Sequence, residues 1–218
     1  MKALALFGST ARHEAEFNSD IDLLGVYYGD KIKSICIGTV SLFLYPETTL
    51  IEKMQSGDLF ALHLVKESIP IYGCDTLGGI YNCFQYKTNY YSEISNAINL
   101  AKKILSTYDS IACKRNSNKK LAWCLRTTII ALSAQNKEPI FSKKTLSEYI
   151  EIPKVPANDL LKMINIKNSS VPIPKVFIDY FYSFIDFFEE KYKAELSINK
   201  EDSNLVDKLM RELKHNSY

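Results

Sequence analysis

Hydrophobic spacing divides the chain into an opening stretch of short strand-like runs and a longer remainder with helical period. Ala3 to Phe7 is almost wholly apolar, which suits a buried strand. Gly8 allows a tight turn, and Ser9 to Glu16 has room for one or two turns of helix before the turn signal Asn18-Ser19. Ile21 to Tyr28 reads as a second strand, in which alternation sets Asp20 and Asp22 on one face and turns Ile21 into the core. Lys33 to Ile37, Gly38-Thr39 and Val40 to Tyr45 predict a strand, a tight turn and another strand. Pro46 is a stop, Glu47 to Met54 looks helical, and Asp58 is placed to cap a helix over Leu59 to Glu67. Ile69 to Tyr72 predicts the last strand, so that a first domain closes near residue 75 and Gly78-Gly79 marks a break.

Beyond that break the period becomes helical. Ile94, Ala97, Ile98, Ala101, Ile104 and Leu105 put one apolar face on a helix over Tyr90 to Tyr108. The polar, basic run Cys113 to Lys120 leads into a helix over Leu121 to Ser133, to which Lys119, Lys120 and Arg126 give a cationic side. Shorter helices are expected over Lys143 to Glu151, with Ser142 as cap, and over Asn158 to Ile164 between proline-marked loops. Val176 to Leu196 predicts a long helix with Phe177, Tyr180, Phe181, Phe184, Ile185, Phe187 and Phe188, a stripe expected to be core or a homodimer surface. Ser203 to Leu213 has the pattern of a last amphipathic helix, followed by a polar tail to Ser217-Tyr218. The expected fold class is therefore α+β: a small twisted mixed sheet with flanking helices (1–75), then a helical domain (76–218).

Composition narrows the function classes. Hydrophobic content of 46% and charged content of 24% suit a globular chain. The net charge of +2 supplies no overall field toward nucleic acid, so any such binding has to be local. Five cysteines without paired C-x-x-C spacing read as reduced thiols of a cytoplasmic protein rather than a disulfide frame or zinc site. No segment has the length of an uninterrupted membrane span, and Gly8 and Arg12 interrupt the start too early for a signal peptide.

The chemistry concentrates at the start. A glycine turn feeding a helix offers backbone N–H groups, a natural seat for phosphate. Two neighbouring carboxylates, Asp20 and Asp22, repel unless a cation such as a divalent metal neutralises them. The order strand, Gly8-Ser9, helix, turn, strand, Asp20-x-Asp22 resembles the signature of the DNA polymerase β-like nucleotidyltransferase superfamily, with ten residues between Ser9 and Asp20. Arg12 stands where minimal members read G-S-x-A-R-G. The stretch Gly57-Asp58-Leu59-Phe60 to His63 and Glu67 also resembles bacterial nucleotidyltransferases with a G-D-L-F-x-x-H-x-x-x-E helix. Many relatives carry a helix before the G-S strand, which here begins almost at Met1.

The resemblance implies Mg²⁺ or Mn²⁺ on Asp20 and Asp22, and a nucleoside or deoxynucleoside triphosphate bound by Gly8, Ser9 and Arg12. It also implies Lys119 and Lys120 as a triphosphate arm from the helical domain, with the active site in the cleft between domains. The superfamily's third carboxylate falls at Ser41, whose hydroxyl can touch a metal but cannot act as a base. Glu47, Asp58 and Glu67 are substitutes from other elements, and His63 is either packed or functional. Three activities stay open: template-independent synthesis of an oligonucleotide signal for antiviral defence, as in Hailong-type enzymes; modification of a protein or tRNA, as in toxin–antitoxin pairs; and an inactive nucleotide-binding module. The first would involve an effector protein as partner. By similarity to Hailong-type enzymes, which prime on a C-terminal hydroxyl residue, Tyr218, or less favourably Ser217, would be the first acceptor.

Overall fold

The structure, a computed structural model, describes residues 1–17, 19–198, 206–208 and 210–211. It divides into two compact units, Met1–Thr88 and the chain from Asn89 onward. The first is α+β. Its elements run β1 (Ala3–Phe7), α1 (Gly8–Ala11), β2 (Ile21–Tyr27), β3 (Lys33–Ile37), β4 (Val40–Pro46), α2 (Glu47–Gln55), α3 (Leu59–Glu67), β5 (Ile69–Tyr72) and α4 (Cys74–Tyr81). The five strands form one mixed sheet in the order β3-β4-β2-β1-β5. β2 and β4 pair in parallel and all other neighbours are antiparallel.

Strand parity decides which side becomes core. Ala3, Ala5 and Phe7 of β1 and Leu24 and Val26 of β2 point to one face, where Leu50 and Met54 of α2, Ala61 and Leu64 of α3, and Leu77 and Ile80 of α4 cover them. Burying Leu77 and Ile80 is what carries α4 through Gly78-Gly79, where a break was expected. An added Cβ at either glycine would meet open space, so both lie on the helix's outer side. The first unit accordingly extends to Thr88 rather than closing near 75. The opposite face holds Leu4, Leu6, Leu23, Leu42 and Leu44 partly buried, with Ile35 41% and Ile37 74% exposed on edge strand β3.

The second unit is helical: α5 (Tyr91–Ser106), α6 (Lys114–Gln135), α7 (Lys143–Glu148), α8 (Ala157–Asn165), α9 (Lys175–Lys191) and α10 (Lys193–Ile198). α6 begins seven residues before the expected Leu121, so Lys119 and Lys120 lie inside it. Lys114 anchors that first turn: its ammonium donates to the carbonyls of Tyr108, Asp109 and Ile111 at 2.5, 3.2 and 2.9 Å. The aromatic stripe of α9 is core, with Phe181, Phe184, Ile185 and Phe188 fully buried, and the helix breaks at Tyr192. Of the expected helix over Ser203 to Leu213, the described residues 206–208 and 210–211 are helical, with Val206 and Met210 buried. No helix among the described residues is long and apolar enough to cross a membrane.

A buried polar knot fastens this unit. Asn118, with no exposed surface, donates through Nδ2 to the carbonyls of Ser169 (3.0 Å) and Val171 (2.9 Å) and accepts from the Tyr108 hydroxyl (2.6 Å). That hydroxyl in turn accepts from the Ile173 N–H at 3.0 Å. Asn118→Ala strands these partners away from water, so the helical unit should lose about 3 kcal/mol in urea unfolding, while exposed Lys119→Ala should change it by under ~0.5 kcal/mol. All five cysteines are free; Cys36 and Cys74 are exposed, and burial pushes the Cys124 thiol far above its ordinary pKa. Iodoacetamide should therefore label Cys36 and Cys74 first and spare Cys124 until the unit unfolds, as read by peptide mass.

Candidate active site

β1 delivers Gly8 to one end of the sheet, and the chain turns there in a single helical turn, α1, the shorter of the lengths that Ser9 to Glu16 allowed. One turn has little dipole, so what it offers an anion is its backbone N–H groups. Gly8 has φ +77°, in the left-handed region that favours glycine. Its missing side chain matters twice over: an added Cβ would stand 2.7 Å from Asp22 Oδ2. The carboxylate of the D-x-D strand thus rests against the glycine of the G-S turn.

Register explains the approach. Phe7 pairs with Asp22, Asp22 with Ser41, and Ser41 with Cys36. Directly paired residues share a face, so these four form one row across the sheet. The next row, Ala5, Leu24 and Phe43, belongs to the helix-covered face. Asp22 therefore lies at the end of the core face, and Ile21, 38% exposed, points to the other side, which reverses the expected orientation. The reason is parity: Leu24 and Val26 are the residues of β2 that the helices bury completely, and Asp22 shares their face. Asp20 precedes the strand and is exposed; its carbonyl accepts from Thr10 Oγ1 at 3.4 Å, tying the loop to α1.

Ser41 stands beside Asp22, and its Oγ lies 3.7 Å from Cys36 Sγ. Among the substitutes for a third acid, Glu47 sits past the far end of β4, about 20 Å along the strand, and pairs with Lys2 at 2.5 Å. Asp58 accepts from the N–H groups of Phe60 and Ala61 as the cap of α3, and pairs with Lys53 at 2.8 Å. Glu67 is engaged as well. Its Oε2 lies 2.5 Å from Arg12 Nη1 and 2.6 Å from His63 Nε2, with all three side chains under a fifth exposed. Arg12 Nε also pairs with Glu14 at 2.9 Å, and the His63 ring meets Phe7 edge-on, centroids 5.7 Å apart. The G-D-L-F-x-x-H-x-x-x-E stretch thereby acquires a physical sense. Asp58 starts the helix, and the i,i+4 spacing sets His63 and Glu67 on one side of it to hold the arginine that follows the G-S turn.

Arg12, expected on the nucleotide, is thus held by carboxylates at the end of α1. Lys119 is exposed on α6, and the Lys120 ammonium lies 5.8 Å from the centre of the Trp123 ring. Ser217 and Tyr218 lie outside the described residues. Among the described residues, no group of three histidines, cysteines or acids is placed to hold a metal ion. The donors that do gather here are hard oxygens, which fit Mg²⁺ or Mn²⁺ completed by substrate phosphates rather than an ion caged wholly by protein. No protein-family model matches the sequence, and neither does any curated protein.

Steric competition between Gly8 and Asp22 gives a direct test. Gly8→Ala should destabilise the protein by roughly 2 kcal/mol, from left-handed strain and the clash, and Asp22→Ala should relieve the clash. In a double-mutant cycle by urea unfolding, Gly8→Ala is therefore expected to cost at least ~0.5 kcal/mol less in the Asp22→Ala background than alone.

Proposed function

We propose that this chain is a metal-dependent, template-independent nucleotidyltransferase. A hydroxyl attacks the α-phosphorus of a nucleoside or deoxynucleoside triphosphate, the bond to the β-phosphate oxygen breaks, and pyrophosphate leaves. The observation that carries the reading is the Asp22 carboxylate lying against the backbone of the Gly8-Ser9 turn, which brings an anion suited to a divalent ion next to the turn suited to phosphate. Mg²⁺ or Mn²⁺, when bound, supplies charge neutralisation and a lower pKa for the acceptor hydroxyl. Asp20 and Asp22 would hold it. The Gly8 and Ser9 N–H groups and the Ser9 hydroxyl bind phosphate oxygens. Arg12, fixed by Glu67, keeps one cation at the end of α1 without a mobile side chain to order. The product we favour is an oligonucleotide signal, first joined to Tyr218.

Ser41 favours a second reading. With a serine beside Asp22 and Glu67 tied to Arg12 and His63, neither Ser41 nor Glu67 offers a carboxylate to take the hydroxyl's proton, which suits a module that binds nucleotide without transferring it.

Incubation with each α-labelled NTP and dNTP and Mg²⁺ or Mn²⁺, without template, separates the two. Wild type is expected to release pyrophosphate slowly, Asp22→Asn to lose at least about 100-fold, and Ser41→Asp to run faster. Nucleotide binding by equilibrium dialysis, with no pyrophosphate from wild type or Ser41→Asp, would establish the binding module instead. Intact mass of wild type against Tyr218→Phe reads the acceptor, since only the former should gain nucleotide mass.

A further inference from the structure

The 22 residues of α6 include five of the chain's basic residues (Lys114, Arg115, Lys119, Lys120, Arg126) and none of its 25 acids. Against a net charge of +2, this one helix carries +5 and the remainder +2 − 5 = −3. Charge is therefore segregated onto α6 even though the whole molecule has almost none. Three lysines on other helices of this unit are neutralised: Lys102 by Glu189 at 2.5 Å, Lys103 by Asp207 at 3.0 Å and Lys162 by Asp159 at 2.7 Å. Arg115, Lys119 and Lys120 form no ion pair among the described residues.

The same stripe holds the chain's single tryptophan. Arg115, Lys119 and Trp123 follow one another at i,i+4, about 6 Å per step along one side of the helix, and all three are exposed. Trp123 leaves 43% of its surface in water, although a ring of that size gains much from burial. Its observed neighbour is a cation: the Lys120 ammonium, 5.8 Å from the ring centre. An open aromatic face flanked by unneutralised cations is the arrangement that binds single-stranded nucleic acid. Phosphates replace their counterions with the lysines and arginine, and an unstacked base covers the ring. A duplex keeps its bases stacked and would meet only the charges.

We propose that the Arg115, Lys119, Lys120 and Trp123 stripe of α6 is a binding site for single-stranded nucleic acid, with Trp123 as the stacking platform. The site is independent of nucleotidyl transfer at Asp22.

As the only tryptophan, Trp123 reports on its own site. Titrating the full chain with ~20-nucleotide oligo(dT) or oligo(U) should quench tryptophan fluorescence, with the two oligomers telling DNA from RNA. Log affinity should fall with log salt at a slope of about −2, for three phosphate contacts at −0.7 each. In fluorescence polarisation with a labelled oligomer, Trp123→Ala should weaken binding about tenfold while Trp123→Phe retains most of it. Lys119→Gln should reduce the slope by about 0.7, with no change for Lys162→Gln on α8. Asp22→Asn should bind as wild type does, so a failed transfer assay leaves this result untouched. The proposal falls if no oligomer quenches at low salt, or if Trp123→Ala, still folded by circular dichroism, binds like wild type. It falls equally if duplex binds as tightly as single strand, or if ATP quenches as strongly and displaces the oligomer, which would make the stripe a triphosphate arm.

Discussion

A carboxylate pressed against a glycine is the contact on which the candidate site of the first unit depends. Asp22 can approach the backbone of the G-S turn only because Gly8 has no side chain and adopts a conformation other residues resist. The approach also requires the register in which Phe7 faces Asp22, since a slip of one residue would send Asp22 to the other face of the sheet and bring Ile21 in its place. Register is in turn held by the apolar residues further along the same strands, Ala3 and Ala5 against Val26 and Leu24, which have no part in the site. The core thus positions the acid.

A second layer of order surrounds that contact. Arg12, Glu67 and His63 meet from two elements, α1 and α3, and the short bonds among them hold the turn to the helix. An arginine left to itself at this place would lose side-chain entropy on meeting a ligand; one already clamped has lost it on folding. Glu67 also cancels part of its charge, which lowers its pull on any anion. The arrangement trades strength of attraction for fixed geometry.

How much of this was legible in the residues follows from what each element depends on. β1, β5 and α3 could be read closely because their signals are local: unbroken apolar runs, a proline and glycine beyond, and Asp58 as a cap. Gly8, Ser9, Asp20 and Asp22 stood out through spacing alone. The face on which Asp22 sits did not, because it depends on which set of alternating residues the helices cover, and that is settled by tertiary packing. The early start of α6 was hidden by the polar run Lys114 to Lys120, whose Asn118 and Ser117 are buried through hydrogen bonds to distant or preceding backbone. Glu67 as the partner of Arg12 joins residues 55 apart, though the His63 and Glu67 spacing hinted at a shared helix side. Trp123 carries no signal of its own in the sequence; the available sign is that the basic residues around it have no acidic neighbours within α6.

The place of β1 in the sheet bears on how the protein is born. It lies between β2 and β5, and Leu6 must find Ile69 before its second edge is closed. A nascent chain can therefore raise the first hairpin as soon as β2 emerges, yet it waits some forty further residues for the strand that seals it. During that interval the backbone groups of β1 that will face β5 are open to any passing strand, on a segment that is almost entirely apolar. The risk ends when β5 arrives with Pro70, a residue that cannot extend the sheet on its own outer edge as readily as it closes the inner one.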